Sequence, residues 1–133
     1  MSSAHLVLHD PEGRLDTELP LDRELHKVLV KAVLGWTGNP SLPPADLQQI
    51  ALLLAGAARA VAADVRRAAD LLPEDHAARA LADVVLAEAD RSLSVPPEGT
   101  ARCAQNRARL VRALYERLDR LAGVAPQAAA MAP

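Results

Sequence analysis

The chain has 133 residues, half of them apolar, which is enough for one domain with a single hydrophobic core. Its 15 basic and 17 acidic side chains give a formal net charge of −2, so the chain has no general electrostatic attraction to nucleic acid. With one Trp, one Tyr and no Phe, the core must consist of small and aliphatic side chains, which pack best between closely spaced helices.

Residues 1–20 are predicted to form an irregular N-terminal arm, extended or folded as a short hairpin with a strand at residues 5–9. Because a lone hairpin is only marginally stable, we expect the arm either to be mobile or to dock on the helices or on a second subunit. The first residues do not have the pattern of an export signal, and no run approaches the roughly 20 apolar residues that cross a bilayer. We therefore expect a soluble protein with no membrane association.

Residues 21–123 are predicted to form the helical domain, and proline and glycine divide it into four helices. The first helix opens at Asp22, a good N-cap residue, and stops at Gly35. Trp36 continues its apolar face. The second helix starts near Pro44, because proline is favoured in the first turn, and its apolar stripe runs to about Leu72.

The third helix follows Pro73, with two acidic residues in its predicted first turn, and the fourth is capped by Thr100 and ends at Gly123. Residues 124–133 are mostly Ala and Pro without a periodic face, so a disordered tail is predicted. The fold class is therefore all-α: a four-helix antiparallel bundle with a short first helix laid across three long ones, and Trp36 at the end of the core.

Three charged residues interrupt the apolar stripes: Asp64 on the second helix, Glu88 on the third and Arg107 on the fourth. In an antiparallel hairpin, Glu88 and Arg107 lie at similar height and can form a buried ion pair. Such a pair either fixes how the helix faces match or lines a small polar cavity for an anionic or polar ligand. The candidate ligand-binding residues are Asp64, Glu88, Arg107 and Trp36.

The remaining reactive side chains do not form a recognisable site in the sequence. The spacing of His5, His9, His26 and His76 provides no pair of metal ligands on a defined helix, so neither a metal nor a cofactor is predicted. Cys103 lies in the first turn of a helix, but no base adjoins it, and we expect an inert, partly buried thiol. A single cysteine favours a reducing cytoplasm. No catalytic motif is found, which argues against an enzyme.

The fourth helix carries six arginines against two acidic residues, an arrangement that can present a basic strip to phosphates. The chain has no helix-turn-helix spacing and lacks the aromatic residues that stack on bases. We therefore interpret the strip as a solvated surface and do not expect nucleic-acid binding.

Four segments carry a resemblance to a known family: Ala32–Trp36, Leu42–Pro44, Ala87–Leu93 and Ala108–Tyr115. With these segments, residues 21–123 resemble a family of small, uncharacterised helical proteins of actinomycetes that is associated with natural-product biosynthesis gene clusters. The resemblance implies a helical scaffold and a setting in such a pathway. It implies no catalytic residue.

Leu52 falls on the polar side of the second helix, which favours a homodimer through an exposed apolar patch. The first functional hypothesis is a non-enzymatic helical interaction or accessory protein that acts through self-association or a pathway protein partner. The second is a small-molecule-binding protein or simple enzyme with a polar cavity around Asp64, Glu88 and Arg107.

Overall fold

A computed structural model describes the backbone of residues 22–130 and the side chains of residues 22–124. It contains four helices: α1 (Arg23–Leu34), α2 (Pro44–Asp70), α3 (Ala77–Leu93) and α4 (Ala101–Ala130). No strand occurs within residues 22–130. The all-α fold predicted from the sequence is confirmed, whereas the predicted arm and the last three residues of the predicted tail lie outside the described residues.

Three helices start where local signals in the sequence predict, two of them at side-chain caps and one at a proline. The Asp22 carboxylate accepts from Leu25 N–H at 3.2 Å, and the Thr100 hydroxyl accepts from Cys103 N–H at 3.1 Å, as N-cap side chains do. Pro44 is the first residue of α2. These three starts agree with the sequence analysis.

The start of α3 differs from the prediction because histidine supplies its cap. The helix begins at Ala77 rather than directly after Pro73, and His76 Nδ1 accepts from Ala78 N–H at 3.0 Å. Residues 73–75 form a turn before the helix, so the two acidic residues lie outside its first turn.

Helices α2 and α4 make the most extensive contact in the fold, and α1 and α3 flank this central pair without contacting each other within the described residues. Successive helices are antiparallel because short connections join them, so α2 and α4 run parallel. Their starts are close together, since Gln48 Nε2 donates to Pro97 O at 3.2 Å just before α4 begins.

The core between α2 and α4 is rich in alanine, which allows the two backbones to approach closely. Its largest fully buried side chains include Leu54, Leu114 and Leu121. Trp36 is partly buried against the end of this core, as predicted. Buried alanines of the core come from three helices: Ala57, Ala58, Ala69, Ala82, Ala89, Ala104 and Ala108.

Two side chains of α4 secure the ends of the flanking helices. Gln105 Nε2 donates to the carbonyl oxygens of Val33 at 3.2 Å and Trp36 at 3.4 Å, at the C-terminus of α1. Arg107 likewise donates to carbonyl oxygens at the C-terminus of α3, as described below. Because the last carbonyls of a helix have no partner within it, these contacts hold α1 and α3 on opposite sides of α4.

The C-terminus of α4 corrects the sequence analysis. The helix does not end at Gly123 but continues to Ala130, so residues 124–130 are helical rather than disordered. Alanines at 122, 125 and 128–130 favour the helix, whereas Gly123 costs about 1 kcal/mol and the internal Pro126 about 3 kcal/mol relative to alanine. Helix propensity alone therefore does not explain why the helix continues.

We expect Gly123→Ala to raise the free energy of unfolding by up to about 1 kcal/mol, because the glycine lies inside a helix. An added Cβ would meet nothing within 4 Å. Urea denaturation followed by circular dichroism measures the change. A destabilised variant would instead indicate a left-handed glycine at a helix end, and would contradict the continuous helix.

Candidate functional site

The predicted buried pair of Glu88 and Arg107 is wrong. The side chain of Glu88 is 65% exposed and accepts a 2.7 Å hydrogen bond from Arg91 on its own helix. The inward face of α3 is centred on Ala82 and Ala89, which are fully buried. Glu88 lies to the side of that face and reaches solvent.

Arg107 is buried, with 6% of its surface exposed, and its partners are backbone carbonyls. Its Nη1 donates to Ser92 O at 2.5 Å and its Nη2 to Val95 O at 2.6 Å. Both carbonyls lie at the C-terminal end of α3, where a cation is favourable. Arg59 of α2 adds a third bond, from its Nη2 to Leu93 O at 3.3 Å.

The other two predicted site residues have separate surroundings. Asp64 pairs with Arg67 one turn along α2, and Trp36 lies at the end of the core near the start of α4. The structure therefore does not bring Asp64, Glu88, Arg107 and Trp36 together as one site.

A cavity of about 430 Å³ lies between the end of α3 and the start of α4. Arg107 lines it but is occupied by the two carbonyls. Cys103 also lines it, is partly buried as predicted, and its Sγ accepts from Glu98 N–H at 3.3 Å. No group of three His, Cys, Asp or Glu side chains placed to hold a metal occurs in the described part of the chain.

A polar cluster lies between α1 and α4, around the single tyrosine of the chain. The hydroxyl oxygen of Tyr115 is 2.6 Å from His26 Nδ1, and the Arg23 guanidinium lies over the tyrosine ring, 4.7 Å from its centre. Arg23 also donates two hydrogen bonds to Asp119, at 2.7 and 2.6 Å. The bidentate pair and the cation–π contact fix the Arg23 side chain in one orientation.

Charge and burial shift the ionisation of this cluster. The hydrogen bonds from Arg23 lower the pKa of Asp119, and the same contact raises the pKa of Arg23. Burial raises the pKa of Tyr115 above its ordinary value of 10.0. Because about half of each side chain is exposed, the Arg23–Asp119 pair contributes no more than about 1 kcal/mol to stability.

We expect the Tyr115 phenol to ionise above pH 10.0 in the folded protein, which ultraviolet absorbance measures directly because the chain has one tyrosine. A pKa raised by folding gives stability that is complete below the unfolded pKa and is lost as the pH rises through the folded pKa. The free energy of unfolding should therefore fall above pH 10.0.

Tyr115→Phe is the control, because it removes the ionisable phenol and should flatten this alkaline decline. A titration midpoint of the folded protein at or below the ordinary value would contradict the burial of the phenol.

The cluster forms one wall of a groove of about 500 Å³ between the two helices, which we call the α1–α4 groove. Its apolar lining includes Val30, Leu34 and the Tyr115 ring. Its cations are Arg23, Lys27, Lys31 and Arg112, and its acids are Glu116 and Asp119.

Sequence reasoning missed this groove. Helical periodicity places His26 at the edge of the apolar face of α1 and Tyr115 on the inward face of α4, but it does not show that the two meet. The available signal was the presence of a single tyrosine in an aliphatic helix together with a histidine on the face of another. Their contact joins residues 89 positions apart, which helical periodicity alone does not reveal.

A second surface is apolar and lies on the outside of α2. Leu52 is 48% exposed and Leu53 is 54% exposed. The exposure of Leu52 agrees with its predicted place on the polar side of this helix. Large aliphatic side chains left in water on a regular helix mark a surface that can bind another protein.

No helix in the described residues combines the length and the apolar character needed to span a bilayer. Comparisons of the chain with protein-family models, curated proteins and solved structures found no match. The resemblance to an actinomycete family therefore remains an expectation, and the two surfaces described above are the structural evidence for function.

Proposed function

We propose that the protein is a non-enzymatic helical interaction protein that pairs with a second copy of itself through the outer face of α2. The observation that carries this proposal is the exposure of Leu52 and Leu53 side by side on one helix, although the chain has few large side chains for its own core. Covering both leucines in a dimer removes their apolar surface from water.

The charges on α2 support a second copy as the occupant. Asp46 lies in the first turn of the helix, before the two leucines. In an antiparallel pairing about a twofold axis between Leu52 and Leu53, these leucines meet those of the second copy, and Asp46 comes level with Arg59 of the partner subunit. Opposite charges at both ends of the contact favour this pairing.

The resemblance and the composition support a pathway and a cellular compartment for this activity. The resembling segments support an accessory role in actinomycete natural-product biosynthesis, in which the dimer would contact a protein of the pathway. The single cysteine supports a cytoplasmic location.

Sedimentation equilibrium of the full chain tests the pairing. We expect a dimer at tens of micromolar, and we expect Leu52→Glu to weaken dimerisation by about tenfold or more, because it buries a carboxylate in an apolar contact. Leu71→Glu is the matched control, since Leu71 is 80% exposed at the end of α2 and outside the proposed contact.

A native chain that stays monomeric at these concentrations would overturn the proposal. Equal weakening by the two glutamate variants would also overturn it, because it would indicate a general effect of added charge.

A further inference from the structure

We infer that the α1–α4 groove binds a small anion that carries an apolar body, such as an aliphatic carboxylic acid. This inference goes beyond self-association. It also moves ligand binding away from Asp64, Glu88 and Arg107, whose contacts lie elsewhere.

The size of the groove fits a small molecule. Its volume of about 500 Å³ lies within the range of roughly 300–1,000 Å³ that is usual for ligand pockets. The groove combines an apolar lining with a few polar groups, as such pockets do.

The charges of the groove favour an anion. Arg23 is already paired with Asp119, which leaves three cations, Lys27, Lys31 and Arg112, against the single acid Glu116. These three cations form no ion pair within the described part of the chain. An anion in the groove would therefore meet an excess of positive charge.

The lining of the groove favours an apolar body attached to that anion. The partly buried Leu34 and the edge of the largely buried Val30 line it with aliphatic surface, and the Tyr115 ring is held by its contacts with His26 and Arg23. Because these contacts already fix the ring, little ordering of the protein is required when a ligand binds. The cavity beside Arg107 is different, since its buried guanidinium is engaged by two carbonyls.

Nuclear magnetic resonance of the full chain tests this inference, because the single tyrosine lies in the groove and the single tryptophan lines another cavity. Sodium octanoate supplies both the charge and the apolar body, sodium acetate the charge alone, and 1-octanol the apolar body alone. We expect octanoate to shift the Tyr115 ring signals saturably, with smaller shifts of the Trp36 indole. We expect it to bind at least about tenfold more tightly than acetate or octanol.

A charge-matched pair of variants tests the role of the lysines. We expect Lys27→Gln with Lys31→Gln to weaken octanoate binding by about tenfold or more. Arg109→Gln with Arg120→Gln removes the same charge from exposed positions outside the groove and should change binding by less than about twofold.

Three results would overturn the inference. The first is Tyr115 signals that do not respond to octanoate, or that shift no more than those of Trp36. The second is equal loss of binding in the two double variants. The third is octanoate affinity that falls as the protein concentration rises, because the groove would then hold a second copy of the chain.

Discussion

Replacing Arg107 with methionine is expected to lower the free energy of unfolding by about 3 kcal/mol, since hydrogen bonds to a charged group contribute about 1.5–3 kcal/mol each. Methionine fills a similar volume but leaves Ser92 O and Val95 O without the guanidinium. These carbonyls lie at the C-terminal end of α3, and their bonds to Arg107 tie that end to α4. The variant should therefore also loosen the packing of α3 against α4. Urea denaturation followed by circular dichroism measures the loss.

Two further variants separate this explanation from the ion pair predicted by the sequence. Arg107→Lys should be intermediate, because one ammonium group cannot bridge two carbonyls as a guanidinium does. Glu88→Gln should change stability by no more than about 0.5 kcal/mol, as expected for an exposed side chain. If Glu88→Gln were as destabilising as Arg107→Met, the two residues would be partners and the structural assignment would be wrong.

Replacing Gly99 with alanine is expected to lower the free energy of unfolding by about 2 kcal/mol, in the range of about 1–3 kcal/mol typical of overpacking. A Cβ at this position would lie 2.6 Å from Pro44 O and 3.0 Å from Pro44 Cβ. The first of these atoms is backbone, so the α3–α4 connection or the start of α2 must move. The close approach of the two helix starts depends on the missing side chain.

Gly38→Ala is the matched control for this position. Its added Cβ meets nothing within 4 Å, so we expect no comparable loss of stability. If thermal unfolding gave the same midpoint for both alanine variants, the contact between Gly99 and Pro44 would not exist in solution.

The sequence predicts the helices well because their signals are local. Asp22, Pro44 and Thr100 act at the ends of their own helices, and the apolar stripes depend on nearby residues only. The end of α4 was misplaced because one glycine was interpreted as a stop signal. The helix continues through both Gly123 and Pro126, so local stop signals and helix propensity do not by themselves locate its end.

The candidate site was harder to predict because helical periodicity places a residue on a face without naming its partner. Arg107 was correctly placed on the inward face of α4, yet a buried arginine can be satisfied by a carboxylate or by carbonyls. The carbonyl groups at the end of α3 have no partner within the helix, but they are backbone atoms, so the pattern of side chains does not reveal them. The same limit hid the contact of Tyr115 with His26, which depends on how α1 rests on α4.

Native mass spectrometry of the full chain with octanoate tests most directly the claim that this protein acts by binding through its helix surfaces, because one spectrum reports both the number of copies and any bound small molecule. We predict a species of twice 14.1 kDa in which each copy takes up one octanoate. A single chain of 14.1 kDa without bound octanoate, at tens of micromolar protein, would contradict it.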